Sequence, residues 1–302
     1  MGETNKNHKD RLFRFIFGSP EHKDWTLSLY NAVNQTHYTD PEEIELTTIQ
    51  DALYMGMKND VSFLVTNTLN FYEHQSGPNP NMPVRLMIYA GMVYSRWIQA
   101  PENKINLYST KQQKLPAPRF VCFYNGLEKQ EDEIILRLSD SFPAGAAYDL
   151  EATVRMLNIN HGRSRKLLEA CKPLGEYSEF VWSVREKMEQ NLNRDAAVAQ
   201  ALRELPDDYV IKPYLMANRA EVTRMCITEY DEALTMELFR EEYLEEGREQ
   251  MRREQEENNL RSLRYMRDEL KLPLEKAMDA LRIPTERRGE FAARLGTELQ
   301  GT

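Results

Sequence analysis

Residues 58–75 constrain the fold more tightly than any other stretch of this chain. Val61, Phe63 and Val65 alternate with Asp60 and Ser62, the period of a β-strand that is apolar on one face. Leu69, Phe71 and Tyr72 supply the β-favouring residues of a second run. Between them, Thr66-Asn67 reads as a two-residue hairpin loop that sets Val65 opposite Thr68. Counting back along both strands brings Asp60 opposite Glu73, with Cβ atoms roughly 4.5–5.5 Å apart on one face. Gln75, two residues beyond Glu73, shares that face. A three-residue loop would separate the pair.

Two carboxylates meeting on one face repel unless a cation, a basic partner or a shared proton neutralises them. Two readings follow. In one, a hard divalent cation sits over the sheet on oxygen ligands and polarises a phosphate. In the other, Asp60 and Glu73 flank a solvent-facing strand and pair with lysines or arginines.

The rest of the chain reads as a mixed α/β core followed by helices. Residues 9–18 place apolar side chains at 12, 13, 16 and 17, one helical face, with Gly18 as a stop. A second helical run covers 24–35, and 43–49 alternates as a short strand. Ser76 to Pro83 is dense in helix and strand breakers, and Pro83 suits the first turn of a helix running through Arg85, Leu86, Tyr89, Val93 and Trp97. Arg85, near the paired acids in sequence, either clamps a phosphate or forms an ion pair with those acids. Arg119 to Gly126 is a mostly apolar strand suited to a central position, and 133–138 and 150–157 are two further strands. Tyr124 and Asn125 either line a cleft or serve the turn at Asn125-Gly126. Arg163, Arg165 and Lys166 form the densest basic cluster beside the core, either tracking a phosphate backbone or forming the solvated face of a helix. An isolated His161 reads as structural. From 176 the period is helical, the charged run 236–258 is a solvated helix, and 274–295 is a small helical hairpin broken at Pro284.

Composition sets outer bounds. The net charge of −9 is uneven: residues 1–175 carry 19 Lys+Arg against 20 Asp+Glu, and residues 176–302 carry 20 against 28. The near-neutral first part is free to bind phosphates through local patches. No apolar run approaches the roughly 18 residues of a membrane span, and the first residues, Met-Gly-Glu-Thr-Asn-Lys, lead into no apolar core of a secretory signal. Three widely spaced cysteines fit a reducing cytoplasm, without a zinc site or a disulfide frame.

Lys58-Asn59-Asp60, Glu73-His74-Gln75-Ser76 and Asn79-Pro80-Asn81-Met82-Pro83 resemble the signature run of the Rpn family, the recombination-promoting nucleases and transposase-like proteins of the PD-(D/E)XK superfamily. Leu29-Tyr30-Asn31-Ala32, Phe123-Tyr124-Asn125-Gly126, Leu138-Ser139-Asp140, Asn158-Ile159-Asn160, Arg219-Ala220-Glu221-Val222 and Thr228-Glu229-Tyr230-Asp231 continue the likeness over most of residues 9–235. The resemblance implies a restriction-endonuclease-like core, a mixed sheet flanked by helices, in residues 1–175. A helical extension over 176–235 and a charged helix with a small helical tail over 236–302 complete the expected architecture. It also implies Mg²⁺, or Mn²⁺ or Ca²⁺ in its place, on Asp60, Glu73 and the backbone carbonyl of His74. Asp10 in the first helix would support that site, or else be an acid favoured by the helix dipole. Gln75 stands where the superfamily usually has lysine, and an amide lacks the positive charge that stabilises an attacking hydroxide.

The expected function is therefore a metal-dependent DNA endonuclease of mobile elements, recombination or bacterial defence. The competing expectation is a catalytically weak or inactive nuclease-fold module that binds DNA or protein. RNA or a small phosphodiester is the alternative substrate, with Tyr72, Tyr89, Tyr94 and Tyr124 as candidates for stacking on bases. A homo-oligomer or a regulatory partner would engage the C-terminal helices, and no membrane partner is expected.

Overall fold

The computed structural model describes residues 12–46, 61–190 and 193–296. The chain divides into two compact units, residues 1–237 and 238–302. Unit 1 begins with helices α1 (Leu12–Phe17) and α2 (Lys23–Asn34), followed by strands β1 (Ile44–Leu46), β2 (Val61–Val65) and β3 (Thr68–Gln75). Helix α3 (Met82–Gln99) precedes strands β4 (Ala117–Tyr124), β5 (Glu133–Arg137) and β6 (Thr153–Asn158). Helices α4 (Arg165–Ala170), α5 (Lys172–Glu189), α6 (Arg194–Glu204) and α7 (Lys212–Ala217) follow, and then α8 (Arg219–Asp268), within which the division between the units falls.

The six strands form one mixed sheet in the order β1-β2-β3-β4-β6-β5. β1, β2 and β3 are antiparallel neighbours, β3, β4 and β6 run parallel, and β5 returns antiparallel along β6. The β2–β3 register pairs Val65 with Thr68 and Val61 with Tyr72, the pairing expected of a two-residue loop. Thr66 takes a positive φ of 54°, the left-handed conformation that such tight hairpin loops demand. β4 is central and its last four residues are buried, as its apolar run predicts.

Both faces of the sheet are covered, so β2 is buried at every position, Ser62 and Leu64 included, and lacks the wet face that its alternation suggests. On one face Phe13, Phe17, Leu29, Phe63, Tyr72, Phe123, Leu174, Tyr177 and Phe180 form a core that joins α1, α2 and α5 to the strands. Residues on either side of 175 thus share one core. On the other face Leu69, Phe71, Cys122, Tyr124 and Met156 pack under Leu86, Tyr89 and Val93 of α3. Helix α3 starts with Pro83 in its first turn, where the missing N–H costs nothing. The strand expected over 150–157 begins at Thr153, and that expected over 133–138 ends at Arg137, where a 3₁₀ turn starts at Leu138.

In unit 2, Pro273 and Pro284 precede α9 (Leu274–Ala280) and α10 (Thr285–Arg294), which gives the expected helical hairpin. Leu260, Leu263, Met278, Ile283 and Phe291 form its small core. Among the described residues no helix is long and apolar enough to cross a membrane.

Candidate active site

The end of β3 sends successive side chains to opposite faces of the sheet. Glu73 and Gln75 fall on the face covered by α3, and His74 falls on the face covered by α1 and α5. All three side chains belong to buried residues. A buried carboxylate needs a partner of opposite charge. Arg85, in the first turns of α3, supplies it: its Nη2 donates to Glu73 Oε1 at 2.7 Å. Gln75 Nε2 lies 3.4 Å from the same oxygen, a long hydrogen bond. The loop between β3 and α3 brings the arginine there, because Asn79 Oδ1 accepts from Asn81 N and Asn81 O accepts from Arg85 N as the helix begins. Of the two readings of Arg85, the ion pair to a hairpin acid is the one found. Its Nε is also buried and has no acceptor among the described residues.

His74 presents its imidazole to the other core. It stacks on Phe13 with ring centroids 5.5 Å apart, and its Nε2 shares a hydrogen bond of 3.0 Å with the Tyr177 hydroxyl. Burial, and secondarily the charge of Glu229, pushes the Tyr177 hydroxyl pKa well above its ordinary value, so the phenol stays protonated. The imidazole therefore faces away from Glu73, and the ligand role expected of His74 concerns its backbone carbonyl, not this ring.

Behind Gln75 the strand ends are tied together. Asn125 N donates to Gln75 O at 2.9 Å, and Ile159 N donates to Tyr124 O at 2.9 Å. Arg185 of α5 donates through Nη1 to Asn125 Oδ1 at 3.0 Å and to Asn160 Oδ1 at 3.2 Å, and through Nη2 to the Asn125 carbonyl. Desolvation draws its pKa below the usual guanidinium value. Gly126 is needed here for space, since a Cβ would come within 2.3 Å of Ser76 O. Asn125 and Tyr124 are thus buried structural residues, as turn chemistry would have it, and Tyr124 spends its hydroxyl on Glu128 O at 2.7 Å.

Asp60 and Asp10 lie outside the described residues. A carboxylate does stand at the start of α1, but it comes from the far end of the unit: Glu229 Oε1 accepts from Leu12 N at 2.8 Å. The end of β6 at Asn158 lies two strands across from Gln75, roughly 10 Å at the usual strand spacing, and Arg163, Arg165 and Lys166 follow it in the chain. Arg163 is committed to Gln130 O at 2.5 Å and to Asp132 at 3.4 Å. Arg165 pairs with Glu169 one turn along its own helix, and Lys166 is exposed. His161 stacks on the exposed Trp182 with ring centroids 4.5 Å apart. Three of the four tyrosines expected to stack on bases, Tyr72, Tyr89 and Tyr124, are buried and have no ring face to offer. The fourth, Tyr94, holds Pro116 O through its hydroxyl.

Arg185 and Tyr177 escaped the reading of the sequence, and Glu229 entered it only as part of the Thr228–Asp231 likeness, because they lie on helices more than 100 residues from the hairpin. The available signal was an arginine on the shoulder of the apolar stripe Leu174, Tyr177, Val181, Val184 and Met188.

No family model, curated protein or solved structure matches this chain.

Among the described residues no three His, Cys, Asp or Glu side chains are grouped as a metal would need. Of the ligands expected for a divalent cation, the Glu73 carboxylate and the His74 backbone carbonyl lie among the described residues, and Asp60 does not. That donor set is all oxygen and suits a hard cation in kind. Arg85 is already paired with the Glu73 carboxylate.

Proposed function

We propose that this chain is a metal-dependent DNA endonuclease with a PD-(D/E)XK-like core, of the kind associated with mobile elements or bacterial defence. The observation that carries the proposal is the buried Glu73 carboxylate at the end of a central strand, with Gln75 on the same face and Arg85 against it. The succession of helix, antiparallel hairpin, helix and parallel strand around it supports the same reading.

Glu73, Asp60 and the His74 carbonyl would hold the metal, which when bound would polarise the scissile phosphate and lower the pKa of a water molecule. Gln75 offers a carbonyl oxygen that accepts a hydrogen bond from the attacking water and orients it. Arg85 carries a buried Nε with no acceptor among the described residues, so its guanidinium has donor capacity beyond Glu73 for a phosphate oxygen. His74, held by Tyr177 and Phe13 on the opposite face, anchors the strand that presents these groups.

A second reading is a nuclease-fold module that binds without cutting. The observation that favours it is the same ion pair, since Arg85 already neutralises Glu73 without any metal. Plasmid nicking with Mg²⁺ decides between them, comparing the intact protein with Glu73→Ala and Gln75→Lys. Cleavage by the intact protein that is lost in Glu73→Ala supports the nuclease, and a faster Gln75→Lys would identify the missing charge as rate-limiting. Binding without nicking in Mg²⁺, Mn²⁺ or Ca²⁺ would leave the module.

A further inference from the structure

The Glu73 side chain and the tyrosines near it are buried, so contact with a nucleic acid must extend beyond them. The segment between α3 and β4 differs from the rest of this acidic chain. From 103 to 127 there is no Asp or Glu, while Lys104, Lys111, Lys114 and Arg119 all occur. All four are exposed, and none forms an ion pair among the described residues. At the tip of the segment Tyr108 is 98% exposed, the most exposed large apolar side chain described, and Leu107 beside it is 63% exposed.

This tip is built, not slack. Gln113 closes it by accepting from Asn106 N at 3.3 Å through Oε1 and donating to Lys111 O at 2.9 Å through Nε2. Asn106 Oδ1 accepts from Tyr108 N at 3.0 Å, and Ser109 Oγ accepts from Lys111 N at 3.1 Å. At its base the Tyr94 hydroxyl of α3 donates to Pro116 O at 2.5 Å. Such local turns pre-set the direction of the ring and lower the entropy cost of using it. An aromatic ring held in water among unpaired lysines serves no purpose in the core.

We infer that the 104–116 loop is a single-stranded DNA contact, in which Tyr108 stacks on an unpaired base and Lys111 and Lys114 hold the neighbouring phosphates. Base–aromatic stacking needs an exposed base face, which a duplex does not offer, and so favours the single strand. The loop sits at the far end of β3 and β4 from Glu73: Ala117 pairs with Thr68 and Cys122 with Glu73, five strand residues or roughly 17 Å apart. It therefore grips nucleotides flanking the phosphate that is cut. The inference rests on the DNA-directed reading above, and its test separates the two.

The experiment is fluorescence anisotropy of the full chain with a labelled single strand of about 20 nucleotides, longer than a typical single-strand site, and with its duplex, in EDTA so that cleavage plays no part. Tyr108→Ala should weaken single-strand binding roughly tenfold, Tyr108→Phe should retain it, and duplex binding should stay unchanged in both. Lys111→Gln with Lys114→Gln should reduce the slope of log affinity against log salt by about 1.4, two phosphate contacts' worth on a single strand. If the intact protein binds the single strand and these variants bind it equally well, the loop is not the contact, while the nuclease reading stands. Equal losses on strand and duplex in Tyr108→Ala would overturn base stacking. If the intact protein binds neither in EDTA nor in a repeat with Ca²⁺, both the loop contact and the DNA-directed reading fall.

Discussion

Arg85 reaches from the second turn of α3 to place a guanidinium nitrogen 2.7 Å from Glu73 Oε1, and the Glu73 side chain is only 2% exposed. The pair joins the end of a central strand to the helix that covers it. Removing one partner of such a pair costs more than the pair itself contributes, because the other charge stays buried and unmatched.

Arg85→Ala should accordingly destabilise unit 1 by about 3 kcal/mol. All three tryptophans, Trp25, Trp97 and Trp182, lie in that unit, so urea unfolding followed by their fluorescence reports it alone. Added Mg²⁺ should recover part of the loss in Arg85→Ala and do less for the intact protein. An unchanged urea midpoint would mean that Glu73 does not depend on the arginine, and a metal effect of equal size in both would mean that the cation and Arg85 do not share the site.

Arg185 acts at one remove, since it grips Asn125, whose N–H holds the Gln75 carbonyl. Lysine keeps the charge but cannot span Asn125 and Asn160 with a planar fork. Arg185→Lys should cost roughly 2–3 kcal/mol, the worth of one or two charge-assisted hydrogen bonds. Its nicking rate should fall at saturating DNA with little change in the half-saturating concentration, because the residue positions Gln75 and does not touch substrate. A change confined to DNA affinity would assign Arg185 to binding.

Gly126 lies where the strand ends converge, and the obstacle to a side chain there is partly the backbone oxygen of Ser76. Because backbone cannot swing aside as a flexible side chain can, Gly126→Ala should lose about 1–3 kcal/mol to overpacking. The same urea titration measures it, and a wild-type midpoint would show that the Ser76 loop yields freely.

Unit 2 offers a pH test. Glu256 accepts from Arg287 at 2.6 Å and from Arg294 at 3.1 Å. The Arg287 hydrogen bond, followed by its charge and then the Arg294 bond, holds the Glu256 carboxyl below its ordinary value of 4.5. A carboxylate with a lowered folded-state pKa contributes stability that is complete above the unfolded value and lost as pH falls through the folded one. Glu256→Gln should therefore speed amide exchange across α9 and α10 relative to the intact protein at neutral pH. The ratio should approach one well below pH 4.5. A ratio that does not change with pH would show that the effect comes from packing and not from charge.

Several features were legible in the order of residues alone. The two-residue hairpin, the buried β4 run, the proline that opens α3 and the break at Pro284 follow from periodicity and turn chemistry acting over a few neighbours. Glu73 and Gln75 share a face because side chains along any strand alternate. What covered that face was not legible. The alternation at Val61, Phe63 and Val65 suggests one wet side, yet Ser62 is buried as deeply as its apolar neighbours because helices pack on both faces of the sheet.

The partners of the site were settled by the tertiary structure. Arg85 had two readings until the packing of α3 on β3 brought its guanidinium to Glu73. The acid at the first turn of α1 is Glu229, 217 residues away, and the group that ties down the end of β4 is Arg185 on α5. Three tyrosines suited to stacking went into the cores, while Tyr108 was left in water. Local sequence determines which face a side chain takes, because the backbone repeat is short and regular. Which charge meets which depends on strand order and helix packing, long-range choices made by burying the most apolar surface, and so only the folded chain decides them.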